Sequence, residues 1–261
     1  MIDTSQTGRI DRSEFFRHRS DYPILKTYVE GRFLESPANS QAPIRALGVG
    51  VGHLEEPLSI LATREQLARE LQARSFSVVP DGLLSLDLVD SRSREEIKPK
   101  YSLGVSYGSG NVAIGGAFLD EAQKRAMSAR PCKPHYVRDF PAAFELKDGE
   151  YRFTEPVINA ARRALEAGRL STPIQTLLRE EGRPYDIIFC NNVIQHLGNE
   201  GEQVAEDLTT KLLRKGGLVS LHITRDIGDV KSVLGTAKLI DENPRFKHLE
   251  RVGPAVYYKK N

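Results

Sequence analysis

The chain of 261 residues is poor in several things at once. It has no tryptophan, two cysteines, two methionines and almost no excess of charge, with 37 basic residues against 35 acidic ones. Cys132 and Cys190 are too few and too far apart for a disulfide framework or a thiolate zinc site. The even charge balance argues against a clustered basic face of the kind that grips nucleic acid, so no nucleic-acid partner is expected. No run approaches the ~18 apolar residues of a membrane span, and the polar start "MIDTSQTGRIDRSEFF" has no signal-peptide core. The expected location is therefore the cytoplasm. Low-complexity tracts and internal repeats are also missing.

What is present is an alternation of strand-like and helix-like pieces. "IRALGVGV" (residues 44–51) reads as a strand that breaks into glycines, and "EEPLSILATREQLARELQAR" (55–74) repeats apolar residues at helical spacing. "LLSLDLVD" (83–90) is a second strand that ends in acid. Later come "YDIIFC" (185–190), whose Ile and Phe density suits a strand covered on both faces, and the helix "EQVAEDLTTKLLRKGG" with a glycine stop. The strand "LVSLHI" (218–223) follows, and "FKHLERVGPAVYYKK" reads as two strands forming a C-terminal antiparallel hairpin at a sheet edge. Strands alternating with helices imply a doubly wound, Rossmann-like α/β fold. Between Ser91 and Glu155 the rhythm stops, in a stretch rich in Gly, Ser and Pro, and the expectation is an inserted β-rich subdomain or loop within one domain spanning 1–261.

Three places carry candidate chemistry. Gly48, Gly50 and Gly52 follow a strand and precede a helix, where a tight turn brings backbone N–H groups close to a cofactor. Asp87 follows Gly52 by 35 residues, near the separation at which a carboxylate on the next strand holds ribose hydroxyls. Asn191 and Asn192 end the buried strand, at the edge where parallel sheets bind ligands. Each has a plainer explanation as a turn, a strand-end cap or a helix cap. Such an arrangement serves NAD and S-adenosylmethionine alike, and spacing does not choose between them.

The segments "SEFFR" (13–17), "IRALGVGVGHLEEPLSI", "LDLVD", "YDIIFCNNV", "LLRKGGLVSLHI" and "VYYKK" occur in the order and rough spacing of the chemotaxis receptor methyltransferase (CheR) family, which the chain resembles. The resemblance implies a class I S-adenosylmethionine-dependent methyltransferase fold with a small inserted β subdomain. It also implies roles: Arg17 at the methyl-donor end of the cofactor, one of Glu55 and Glu56 on its amino group, Asp87 on the ribose, and Asn192 next to it, with Asn191 as its neighbour in the expected site. The Glu-Glu-Pro and Phe-Cys-x-Asn-Val pieces are the specific ones. Departures are as informative. Asn191 stands for an arginine, His196 for a tyrosine, Leu197 for a phenylalanine, Leu54 for a glycine and Leu58 for another tyrosine, and only twelve residues precede Ser13. Losing the arginine removes a charge-assisted hydrogen bond that would position a carboxylate acceptor. The expectation is a methyltransferase whose acceptor, a small molecule or protein, is not a chemoreceptor glutamate. His196 is the candidate base, and His53 the rim of the pocket. The rival readings are a non-catalytic sensor or scaffold that binds S-adenosylmethionine or its demethylated product, and a nicotinamide oxidoreductase. The latter is disfavoured because Gly48-x-Gly50-x-Gly52 lacks the Gly-x-Gly-x-x-Gly spacing.

Overall fold

A computed structural model describes residues 22–35, 42–52, 54–99, 140–147, 150–191, 193–222, 240–252 and 257–261. At its centre lies strand β1 (Ile44–Val49), paired in parallel with β2 (Leu84–Val89) on one side and β5 (Tyr185–Asn191) on the other. β6 (Leu213–His222) continues the parallel set beyond β5. The last strand, β8 (Tyr257–Lys260), runs antiparallel to β6, and β7 (Leu249–Arg251) pairs antiparallel with β8 at the edge. The six-stranded order is β2-β1-β5-β6-β8-β7. Past β2 the sheet is extended by one further bridge: Arg169 N–H donates to Leu88 O at 2.8 Å and Asp90 N–H to Arg169 O at 3.2 Å.

Strict alternation along the strands divides the core in two, because successive side chains leave a strand on opposite faces. Ile44, Ala46, Leu84, Leu86, Leu88, Ile187 and Phe189 face one layer, built from α1 (Tyr22–Glu35), α2 (Glu55–Ala73), the single turn α3 (Pro80–Leu83) and α4 (Glu155–Ala167). Leu47, Val49, Val89, Ile188, Cys190, Val219 and Leu221 face the other, built from α5 (Ile174–Glu180), α6 (Gly201–Asp207) and the π turn that follows it. Every residue of β5 is buried, which is why that strand shows no polar alternation. α4 reads as an amphipathic helix: Thr154 precedes it, Pro156 sits in its first turn, and Val157, Ile158, Ala160, Ala161, Ala164 and Leu165 make its buried stripe.

The sheet register corrects one boundary. The helix expected to run to the glycines at 216 and 217 ends earlier, and β6 begins at Leu213. Tyr185 pairs with Leu213 but Ile187 pairs with Leu218, so residues 214–217 bulge opposite Asp186. Gly216, at φ +74°, supplies the left-handed backbone that the bulge needs. Lys260 holds the junction by donating to Thr210 O at 2.8 Å and Leu213 O at 2.6 Å.

Of the stretch 91–155, residues 91–99, 140–147 and 150–155 are described, and their ends pack into the main core. Ile97, Phe140 and Ala143 are buried there. A separate pair of strands, β3 (Phe144–Lys147) and β4 (Glu150–Phe153), is pinned to the same core by Phe144 and Phe153, whose rings lie 4.7 Å apart. No helix among the described residues is long and apolar enough to cross a membrane.

Candidate functional site

The parallel strands all point their carboxyl ends to one edge, and β1 is where the chain turns from one neighbour, β2, to the other, β5. At such a switch point the two following loops diverge and leave a crevice. Gly50 continues the sheet by one hydrogen bond, N–H to Val89 O at 2.9 Å, with φ +68°. A Cβ at Gly50 would lie 2.3 Å from Val193 Cγ2, so the loop after β1 touches the loop after β5 with no room for a side chain. Gly52 also has a left-handed backbone, φ +54°. Gly48 differs: it lies inside β1, where a Cβ would press to 3.0 Å on Leu88 Cδ2. Two of the three glycines thus shape the turn and one admits a neighbour on the next strand. The turn then delivers Leu54, at φ 65° and fully buried, into α2.

The acid that reaches this turn is Asp90. It is the first residue past β2, its side chain is 4% exposed, and it accepts the Val51 N–H at 2.8 Å, tying the glycine turn to the end of the neighbouring strand. Arg92 wraps the same carboxylate. Its backbone N–H and Nε donate to Oδ1 at 2.8 and 3.1 Å, and its Nη2 donates to Oδ2 at 2.8 Å and to Gly52 O at 3.1 Å. Burial alone would raise the Asp90 pKa, but the hydrogen bonds from Arg92 and Val51 outweigh it and hold the carboxyl below the ordinary aspartate value.

Asp87 lies elsewhere. It is in mid-strand, opposite Leu47, on the face turned towards the α5–α6 layer, and its side chain is 49% exposed. Its partner is Arg45, whose Nη2 donates to it at 2.9 Å and whose guanidinium lies 4.3 Å over the Tyr185 ring. The alternation of the strand explains the difference: Asp87 stands three residues before Asp90 and short of the crevice. A signal for Asp90 was in the sequence, since "LDLVD" ends in that second acid.

At the end of β5, Asn191 is buried and accepts the Ser220 hydroxyl at 3.0 Å, a polar link across β5 and β6 inside the core. Val193 abuts Gly50, Ile194 is buried against Gly201, and His196 is exposed on the 3₁₀ turn Ile194–Glu200, with its backbone N–H on Val193 O. Glu55 and Glu56 open α2, next to the glycine turn, with their side chains outside the described residues. Arg17, His53 and Asn192 also lie outside the described residues. Among the described residues no group of three His, Cys, Asp or Glu is placed to hold a metal.

No protein-family model matches the chain. No curated protein matches it either. Among solved structures it is similar to an O-methyltransferase family protein from Burkholderia thailandensis, with a TM-score of 0.35 and 9% identity over 92% of this chain and 55% of that one. It is also similar to a DhpI–SAM–HEP complex, with a TM-score of 0.27 and 10% identity over 95% of this chain and 78% of that one. The chain thus spans about half the length of the first. The functional reading rests on the geometry of the crevice itself.

Proposed function

We propose that the chain is an S-adenosylmethionine-dependent methyltransferase, with the cofactor lying across the carboxyl ends of β1 and β2 and the acceptor beside the end of β5. One observation carries the reading: a buried, ionised Asp90 ends β2 directly against the Gly50–Gly52 turn. A carboxylate there suits a ribose diol, which presents two donors to two acceptor oxygens. The dinucleotide alternative fits less well. The glycine spacing is wrong for a pyrophosphate, and the reversed strand β8 departs from the parallel order of dinucleotide sheets. Asp90 rather than Asp87 takes the ribose role in this proposal. Arg92, 38% exposed, makes the side-chain hydrogen bonds to Asp90 that ribose hydroxyls would replace.

Methyl transfer to an acceptor held in line needs little more than position when the acceptor is already a nucleophile. A hydroxyl or amine acceptor also needs its proton removed, and His196, exposed on the 3₁₀ turn that follows β5, is the proposed base. The end of β5 carries the buried, neutral Asn191, bonded to Ser220, in place of a cation that would position a carboxylate, which favours a proton-bearing acceptor over a glutamate side chain.

Calorimetric titration with S-adenosylhomocysteine, S-adenosylmethionine and NAD tests the proposal. We expect the first two to bind and NAD not to. Asp90→Asn should weaken S-adenosylhomocysteine binding by roughly 1.5–3 kcal/mol, the range for hydrogen bonds to a charged group, while Asp87→Ala leaves it unchanged. Binding of NAD alone would overturn the cofactor. Labelled methyl incorporation that is stable in alkali and falls in His196→Ala would support the acceptor class. Binding with no transfer to any acceptor would favour a sensor or scaffold.

A further inference from the structure

Asp90 has no acceptor to spare. An ionised carboxylate offers about four acceptor positions on its two oxygens, and four donors already occupy them. Oδ2 accepts Val51 N–H and Arg92 Nη2, each at 2.8 Å, while Oδ1 accepts the Arg92 backbone N–H at 2.8 Å and Arg92 Nε at 3.1 Å. Two of these donors are backbone groups and two belong to one side chain. The backbone of the segment is pinned to its neighbour: Asp90 N–H donates to Arg169 O at 3.2 Å, and Thr172 N–H to Asp90 O and Ser171 N–H to Arg92 O, both at 2.9 Å. A diol arriving at this carboxylate therefore has to take the places held by the Arg92 guanidinium.

Arg92 also reaches the opposite wall. Its Nη2 donates to Gly52 O at 3.1 Å, 40 residues away in sequence, so one guanidinium spans from the end of β2 to the glycine turn. It lies outermost, 38% exposed over a carboxylate that is 4% exposed. Arg64 has the inverse placement: its side chain is 4% exposed, and its partners Glu65 at 2.9 Å and Asp81 at 2.7 Å are nearer to solvent. Four residues beyond Arg92 stands the exposed Glu96. The turn between them is closed by Glu96 N–H on Ser93 O at 3.2 Å, and the Glu96 carboxylate accepts Ser93 N–H at 2.7 Å. The hydrogen bonds to Asp90 are the main cause that raises the Arg92 pKa, against burial, and the charges of Asp90 and Glu96 add to it, so Glu96 already acts on the guanidinium.

We propose that Arg92 is an autoinhibitory strap over the cofactor site, closed on Asp90 and Gly52, and opened when two ribose hydroxyls replace its side-chain donors and the guanidinium passes to Glu96. The inference rests on the S-adenosylmethionine reading above. Opening the strap in water leaves a buried carboxylate short of two donors, which is unfavourable. A cis-diol brings two donors to the same two oxygens, and the exchange is one for one. The closed strap competes with the cofactor, so the apparent affinity falls below the intrinsic one by the fraction of molecules that are open. Removing the arginine removes the competitor and tightens binding, whereas losing an arginine that only held the turn in shape would weaken it.

Calorimetric titration of the full chain with S-adenosylhomocysteine, comparing the parent with three variants, tests this. Arg92→Ala should bind about tenfold tighter, on the order of one charge-assisted hydrogen bond released from competition. Arg92→Gln, which keeps a neutral donor, should gain less. Glu96→Gln keeps an acceptor for Ser93 N–H but removes the receiving charge, and should bind about two- to fivefold weaker, the scale of an exposed ion pair. Unchanged or weaker binding in the Arg92 variants, with the parent binding, would overturn the strap and leave the cofactor reading standing. No binding by the parent or by either Arg92 variant would remove the cofactor reading and the strap with it. Binding by Arg92→Ala and not by the parent would be the extreme form of the expected result. Should Arg92→Ala fail to fold, the opposite signs expected of Arg92→Gln and Glu96→Gln decide, and the same sign in both would overturn the strap.

Discussion

Asp90 shows how one side chain serves the fold and the proposed site together. Its carboxylate closes the glycine turn onto β2 through Val51 N–H and draws Arg92 over the top. The folded-state pKa lies below the ordinary value of about 3.9. The carboxylate therefore contributes stability that is fully present above that ordinary value and is lost as pH falls through the lower, folded one. Asp90→Asn should accordingly be less stable than the parent at neutral pH, with the gap narrowing below about pH 4. Denaturant melts at pH 7 and pH 3 would check it, and an equal gap at both would remove the carboxylate's charge from the account. The sequence made the site legible only in part. The acid-terminated strand and the glycine turn could be read from residue types, whereas the ribose role expected of Asp87 came from a spacing and a family resemblance, and passes to Asp90 only within the proposed function. What separates Asp87 from Asp90 is strand alternation and the pairing with Arg45, which sits 42 residues away in sequence. Asn191 is a similar case: its type marked the strand end, while its bond to Ser220 arises only when β5 and β6 pair.

At the level of elements, the strand–turn–helix unit from β1 to α2 is fixed by contacts between loops rather than within them. Gly50→Ala would force a methyl group to 2.3 Å from Val193 Cγ2 at a backbone angle of φ +68°. The left-handed conformation costs roughly 1–2 kcal/mol for an L residue, and overpacking adds about 1–3 kcal/mol. We expect Gly50→Ala to lower stability by some 2–4 kcal/mol on those terms and to weaken cofactor binding with it, read from denaturant melts and calorimetry. A neutral result would mean that Val193 moves freely, and the two loops would then not form one rigid crevice. β1, β2, β5 and α2 were readable because each carries its own period or a dense apolar run. The start of β6 was not, because "KLLRKGG" has the apolar spacing and glycine end of a helix, and only pairing with β5 turns its last residues into a bulge. Neither α1 nor α4 is marked by a dense apolar run in the sequence, yet both join the core on the same face of the sheet as Ile44, Leu84 and Ile187. α4 has a clear amphipathic stripe, whereas α1 has almost none and buries Leu25, Val29 and Phe33 along its length.

The molecule as a whole has two ends with different chemistry. A parallel sheet collects the carboxyl ends of its strands on one rim and the amino ends on the other, so the two rims are built from different residues of the same strands. Here one rim has the glycine turn and Asp90, and the other has the buried Asp186, which accepts the Arg45 backbone N–H and the Arg214 side chain. The two sets share no residue and stand about 20 Å apart along the strands. Substitutions at sites so separated, with no shared partner, add to within a few tenths of a kcal/mol. Removing one partner of a buried ion pair is destabilising because the other charge stays buried. We therefore expect Arg214→Ala, which takes the 2.7 Å partner from Asp186, to lower stability in denaturant melts while leaving S-adenosylhomocysteine binding unchanged, and the double variant with Asp90→Asn to lose close to the sum of the two single losses. A double loss well away from that sum, or weaker S-adenosylhomocysteine binding in Arg214→Ala, would mean that the rims are coupled through β1 and β5.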